Sequence, residues 1–150
     1  MSRNGLIVAR QHANDLPPFD SLAEAERTLL AQRDTALRDL LAQSDATLEL
    51  DYSPQSLNTL ERWYFENGQP VATTSGLSMP HAIAFYFGEV LCRNAQFQWT
   101  VQEFAFSLGR YEVGVQRQNL CVMLTKGKLP SVVASKRMRS LWRDFHRYAA

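Results

Sequence analysis

The sequence predicts an α+β fold: a single domain in which helices pack on one face of a small, mainly antiparallel sheet. Two observations carry this expectation. Stretches with helical spacing and stretches with strand-like alternation are largely segregated along the chain, which argues against a repeating strand–helix–strand design. The late strand-like stretches, 97–101, 111–116 and 120–124, are also close enough in sequence to form an antiparallel meander, and Arg117-Gln-Asn119 can turn the last two into a hairpin. A chain of 150 residues, with 45% hydrophobic and 21% charged residues, fits one domain with a real core.

Taken in order, residues 1–19 read as a flexible N-terminal arm with a short strand-like run at Leu6-Ile-Val-Ala9. That run is too short for a signal peptide's apolar core or for a membrane span, so a cytoplasmic location without membrane contact is expected. Ser21-Leu-Ala-Glu24 has the spacing of a capping box and opens a helix to about Gln43. Leu22, Leu29, Leu30, Leu37, Leu40 and Leu41 fall on one broad arc of it, and Glu26 and Arg33 intrude, so this helix is expected to be half covered. Thr47-Leu-Glu-Leu-Asp-Tyr52 alternates like a half-buried strand. Ser53-Pro54 then starts a second helix, about 54–66, that buries Leu57, Leu60 and Tyr64 and stops at Asn67-Gly68.

After a polar loop at 69–79, residues 80–94 read as a helix with no water-loving face, organised by Ile83, Phe87, Val90 and Leu91. Gly88 inside it implies a neighbouring element packed close to the backbone, since Gly costs roughly 1 kcal/mol there relative to Ala. The continuous apolar run Leu120–Leu124 suits a central strand covered on both faces. A last helix, about 131–148, aligns Met138, Leu141, Trp142, Phe145 and Tyr148 on one face and Lys136, Arg139, Arg143, His146 and Arg147 on the other.

The net charge of +1 conceals two poles. Residues 1–66 hold 6 Lys/Arg against 11 Asp/Glu, and residues 67–150 hold 10 against 4. The favoured reading is that the halves contact each other; steering of a partner, or pairing of two copies into a homodimer, is the alternative. Cys92 and Cys121 read as reduced core thiols. With His12, His81 and His146 scattered, no metal-ligand spacing emerges, and neither metal nor cofactor is expected.

The sharpest constellation is Glu89 and Arg93, neighbours on a helix with the acid on the N-terminal side. The reading adopted is a structural, buried ion pair. A guanidinium beside a carboxylate makes it a weak base. The alternative is a small enzyme or ligand-binding domain that uses Glu89 and Arg93 with Tyr86 and His81. No nucleophile elbow and no Gly-rich phosphate loop is present.

Tyr86-Phe-Gly-Glu89, then Arg93, then Trp99 resembles a pattern in a loose group of small uncharacterised bacterial proteins. Asp51-Tyr-Ser-Pro-Gln-Ser-Leu57, Leu129-Pro130 and Lys136-Arg-Met138 extend the resemblance over roughly residues 45–148, although Asn94-Ala-Gln-Phe97 stands where the group has a glycine pair. Some proteins of this kind look like immunity proteins. With no catalytic constellation and with charge split between two poles, the resemblance leads to the expectation of a non-enzymatic interaction module that neutralises a cognate toxin by occluding its active site. Partner-binding candidates are Glu24, Glu26, Asp34, Glu61 and Glu66 at the acidic pole, suited to a toxin with a cationic active site, and Lys136, Arg139, Arg143 and Arg147 at the basic pole. A nucleic-acid accessory role through the basic helix is a further alternative, weakened by a pI of only about 7.8.

Overall fold

Residues 16–44, 48–105, 107–124 and 140–150 are described by a computed structural model. Among them, four helices and three strands follow the order α1 (Leu22–Gln43), α2 (Ser56–Glu66), α3 (Met79–Ala95), β1 (Gln98–Glu103), β2 (Tyr111–Arg117), β3 (Leu120–Met123) and α4 (Leu141–Ala149). The strands form an antiparallel meander, β1-β2-β3, with Trp99 opposite Val115 and Val115 opposite Val122. This is the α+β domain that the segregation of helical and strand-like stretches predicts.

Alternation fixes which face of the sheet meets the helices. Val101, Val113, Val115 and Val122 point one way, are buried, and share a core with Leu29, Leu40, Ile83, Phe87 and Leu91 of α1 and α3. Gln98, Thr100, Gln102, Gln116 and Cys121 take the opposite face; the Gln102 amide there donates to Gln116 Oε1 at 3.2 Å. The expectation that 120–124 would be the central strand is corrected. Within this sheet β2 is central and β3 an edge, with Leu120 and Cys121 exposed. Cys121 is therefore no core thiol.

Helix starts follow their caps. Ser21 Oγ accepts from the Glu24 amide at 3.1 Å, and the Glu24 carboxylate reaches back to the Asp20 amide at 3.3 Å. In α1, Leu29, Leu37 and Leu40 are buried while Leu22 and Leu41 are exposed, so the apolar arc is covered only in part. Ser78 caps α3 ahead of Pro80, and the helix ends where Gln96 turns left-handed at φ 62°. From Met79 to Leu91 its residues are buried except Pro80, His81 and Glu89, which are half-buried. Gly88 explains itself: a methyl there would stand 2.5 Å from Leu124 Cδ1 and 2.9 Å from Trp99 Cη2.

Three further expectations change. Residues 48–52 form no strand, because Glu49 and Tyr52 take positive φ values of 53° and 62°, which break the pleat. The arm expected over 1–19 is anchored from Leu16 onward: Leu16 is buried, its carbonyl accepts from Arg110 Nη1 at 2.6 Å, and Phe19 N donates to Gly109 O at 2.9 Å. Trp142, expected on the core face of the last helix, is exposed against His146, while Leu141 and Phe145 are buried. The strand at 6–9, His12, Asp45, Thr47 and the stretch 125–139, with Lys126, Lys128, Lys136, Arg139 and Met138, lie outside the described residues.

One basic residue ties the layers together. The Arg117 guanidinium at the end of β2 donates to Ala95 O at 3.0 Å, Tyr148 O at 3.1 Å, Ala149 O at 3.3 Å and Ala150 O at 3.2 Å, and lies 4.8 Å over the Phe97 ring. It thus places a cation at the C-terminal ends of α3 and α4, where the helix dipoles favour it. Read from sequence, Arg117 is merely a hairpin residue.

Candidate functional site

The Gly-Glu pair on α3 and the Trp on β1 meet because a glycine lets them. With no side chain at Gly88, the Trp99 ring lies against the helix, and its Nε1 donates to Glu89 Oε2 at 3.0 Å. The other carboxylate oxygen, Oε1, accepts from Arg93 Nε at 3.2 Å. Both oxygens of Glu89 are thereby engaged within the chain, which leaves the group poorly placed to take a proton from a substrate.

The pair is not buried as expected. The Glu89 side chain is 20% exposed and that of Arg93 55%. The reason is that Arg93, in the last turn of α3, reaches outward over Tyr52, its Cζ 4.0 Å from the ring centroid. Tyr52 stacks in turn on Tyr86 at 4.7 Å, its amide donates to the Tyr86 hydroxyl at 3.0 Å, and its carbonyl accepts from Asn94 Nδ2 at 2.8 Å. On the other side, Arg33 of α1 lies 4.9 Å over Trp99, with its Nε and Nη2 both on Asp34 Oδ1 at 3.0 and 2.8 Å. A ladder of Arg33, Trp99, Glu89, Arg93 and Tyr52 results.

Of the remaining members of the catalytic alternative, Tyr86 lies behind Tyr52 and His81 stands apart. Tyr86 is fully buried and its hydroxyl meets Ser56 Oγ at 2.6 Å, with burial pushing its pKa up. His81 faces a separate cavity of about 210 Å³ lined by Leu16, Leu29, Gln32, Leu77 and Phe85 among others. The Cys92 thiol is pushed up to about 12, by burial first and by the Glu89 charge second, with Arg33 opposing, so it stays protonated and unreactive at neutral pH. Among the described residues, no three His, Cys, Asp or Glu side chains are placed to hold a metal, and no helix is long and apolar enough to cross a membrane.

Of the acidic candidates, Glu26 and Glu66 are exposed. Glu24 serves the α1 cap, Asp34 holds Arg33, and Glu61 Oε2 accepts from the Leu141 amide at 3.1 Å, finishing the start of α4. Burial, with the nearby Asp144 charge as a smaller cause, raises the Glu61 pKa against that hydrogen bond. Arg143 and Arg147 are exposed on α4, Arg147 lying 3.5 Å from Asp144. The ion pairs Arg33–Asp34, Glu89–Arg93 and Asp144–Arg147 are all local in sequence.

Sequence reasoning found Glu89 and Arg93 but missed that Trp99, Tyr52 and Arg33 complete them. The signal for Trp99 and Tyr52 was their place in the resembled segments, and for Arg33 its intrusion on an apolar arc; none of these shows that the three meet. Together these features define a small α+β domain whose central helix presents a braced arginine–aromatic surface. The chain belongs to the family whose model, described as Uncharacterised protein YwmA, matches residues 18–149. No curated protein and no solved structure matches it.

Proposed function

We propose that the chain is a cytoplasmic, non-enzymatic protein-interaction module of the immunity or inhibitor type, which neutralises a cognate bacterial toxin by binding it and occluding its active site. The observation that supports this best is the use made of Glu89. The acid of the central helix holds Trp99 and Arg93 in place, so its role is to fix a surface rather than to move protons. Exposed Arg and half-buried Trp and Tyr are the side chains that dominate binding energy in protein interfaces.

The test is coexpression. The product of an adjacent gene that arrests growth should be tolerated when this chain is present, and the two should co-purify at fixed stoichiometry. Unrelieved toxicity, or no toxic neighbour and no stoichiometric partner from the native organism, would sink the proposal. A second reading has one observation behind it: α4 exposes Trp142, Arg143, His146 and Arg147 together, a basic and aromatic combination suited to single-stranded nucleic acid. It requires binding that weakens steeply with salt.

A further inference from the structure

We propose that the Arg93 guanidinium is a docking point for a carboxylate on an acidic segment of a protein partner. The site is built before any partner arrives. Arg93 Nε donates to Glu89 Oε1 at 3.2 Å, and the guanidinium carbon lies over the Tyr52 ring, 4.0 Å from its centroid. Tyr52 is fixed through its stack on Tyr86, through its amide, which donates to the Tyr86 hydroxyl, and through its carbonyl, which accepts from Asn94 Nδ2. Among the described residues, no acceptor takes the two terminal amino groups of Arg93, and its side chain is 55% exposed. A planar fork fixed at its inner edge and open at its outer edge matches the two oxygens of a carboxylate. Preorganisation of this kind lowers the entropy lost on binding.

Arg33 serves as the internal comparison. It too lies on an aromatic ring, but two of its nitrogens already donate to Asp34. The charges Arg33, Asp34, Glu89 and Arg93 balance across the ladder, so the site attracts an anion through fork geometry more than through net charge. That separates it from a general basic patch and makes a specific demand: lysine, which keeps the charge and loses the fork, cannot replace Arg93. The choice of a protein carboxylate over other oxyanions rests on the proposed role as a protein-binding module; the chemistry of the fork does not.

The experiment uses the full chain labelled with ¹⁵N and ¹³C. It follows the Arg93 Nε–H and Trp99 Nε1–H resonances during titration with a capped tetraglutamate peptide, and separately with inorganic phosphate. Saturable shifts of both resonances by the peptide at millimolar concentration are expected, weakened about fivefold or more in Arg93→Lys. Tyr52→Leu, which keeps Arg93 and removes its platform, should weaken them to a smaller degree. Shifts that do not saturate, equal binding by Arg93→Lys, or a response to phosphate with none to the peptide would each overturn the proposal. Any of these outcomes alongside intact rescue of a toxin-expressing host would sink the docking site and leave the inhibitor reading standing.

Discussion

Replacing Gly88 by alanine sets two effects of known size against each other. Gly88 lies inside α3, so alanine should gain roughly 1 kcal/mol of helix propensity. The new methyl would stand 2.5 Å from Leu124 Cδ1, 2.9 Å from Trp99 Cη2 and 3.4 Å from Trp99 Cζ2. Carbon atoms attract best at roughly 3.5–4.0 Å, so two of these contacts are strongly repulsive. Neither neighbour can give way without cost. Leu124 is fully buried, and the Trp99 ring is held by Glu89 at its nitrogen, by Arg33 on its face and by Phe85 at a centroid distance of 6.2 Å. Overpacking costs about 1–3 kcal/mol, and two contacts under 3.0 Å put this site in the upper part, about 2–3 kcal/mol, so the net expectation is a loss of about 1–2 kcal/mol after the helix gain of roughly 1 kcal/mol. For a chain of this size that corresponds to a fall in Tm of roughly 3–6 °C. Urea unfolding followed by circular dichroism and tryptophan fluorescence reads the change as a lower midpoint at unchanged slope. A second arm tests the cause: Leu124→Val shortens the clashing side chain, so the double variant should be more stable than additivity allows by about 0.5 kcal/mol or more. A Gly88→Ala midpoint equal to or above the parent's, or strict additivity with Leu124→Val, would refute the reasoning.

Tyr86→Phe removes the hydroxyl shared by the Tyr52 amide and Ser56 Oγ; Ser56 Oγ keeps its bond to Ser53 O, but the part-buried Tyr52 amide loses its partner, a loss of about 1–3 kcal/mol read from urea unfolding; an unchanged midpoint would contradict it. Arg117→Gln removes the guanidinium that meets the C-terminal carbonyls of both α3 and α4, at about 1.5–3 kcal/mol, and should raise amide exchange in α4 before α1; uniform exchange across the helices would count against this role. Two carboxylates should move stability in opposite directions with pH. The Thr73 hydroxyl first, then Ser75, holds the Asp39 pKa below the ordinary aspartate value, so its contribution is present above that ordinary value and is lost as pH falls through the lower folded one. Burial raises the Glu61 pKa above the ordinary glutamate value, so protonation favours the folded state and that contribution is lost as pH rises through the raised value. Asp39→Asn should therefore flatten the acid limb of the stability profile and Glu61→Gln the limb above it; wild-type-like profiles in both variants would show the assignment to be wrong.

Features written in local chemistry were legible in the sequence. Ser21 and Glu24 announced α1, Asn67-Gly68 stopped α2, and the Arg117-Gln-Asn119 turn set β2 against β3, because each depends on residues within a few positions. The position of β3 was not legible. A run of apolar residues does not say whether a strand has one neighbour or two, and here Val122 and Leu124 are buried while Leu120 and Cys121 are exposed at the turn. Residues 48–52 misled because alternation does not reveal backbone handedness; Tyr52 is held left-handed by its stack and hydrogen bond with Tyr86, a contact made across the fold. At the site, the spacing of Glu89 and Arg93 showed that they touch, but not that the pair sits at the surface. That depends on Tyr52, which Arg93 reaches only once the chain has folded.

An exposed ion pair contributes only about 0–1 kcal/mol, too little to position an arginine by itself. The orientation of Arg93 must therefore come from its neighbours. Trp99 Nε1 fixes one oxygen of Glu89, which turns the other toward Arg93 Nε, while the Tyr52 ring backs the guanidinium at 4.0 Å. Trp99 belongs to β1, Glu89 and Arg93 to α3, and Tyr52 to the segment leading into α2, so the surface geometry depends on how the sheet docks on the helix at Gly88. A methyl at that position would press on the Trp99 ring and displace its nitrogen from Glu89. The change in stability and the change in Arg93 orientation would then appear together, which a merely decorative surface arginine would not show.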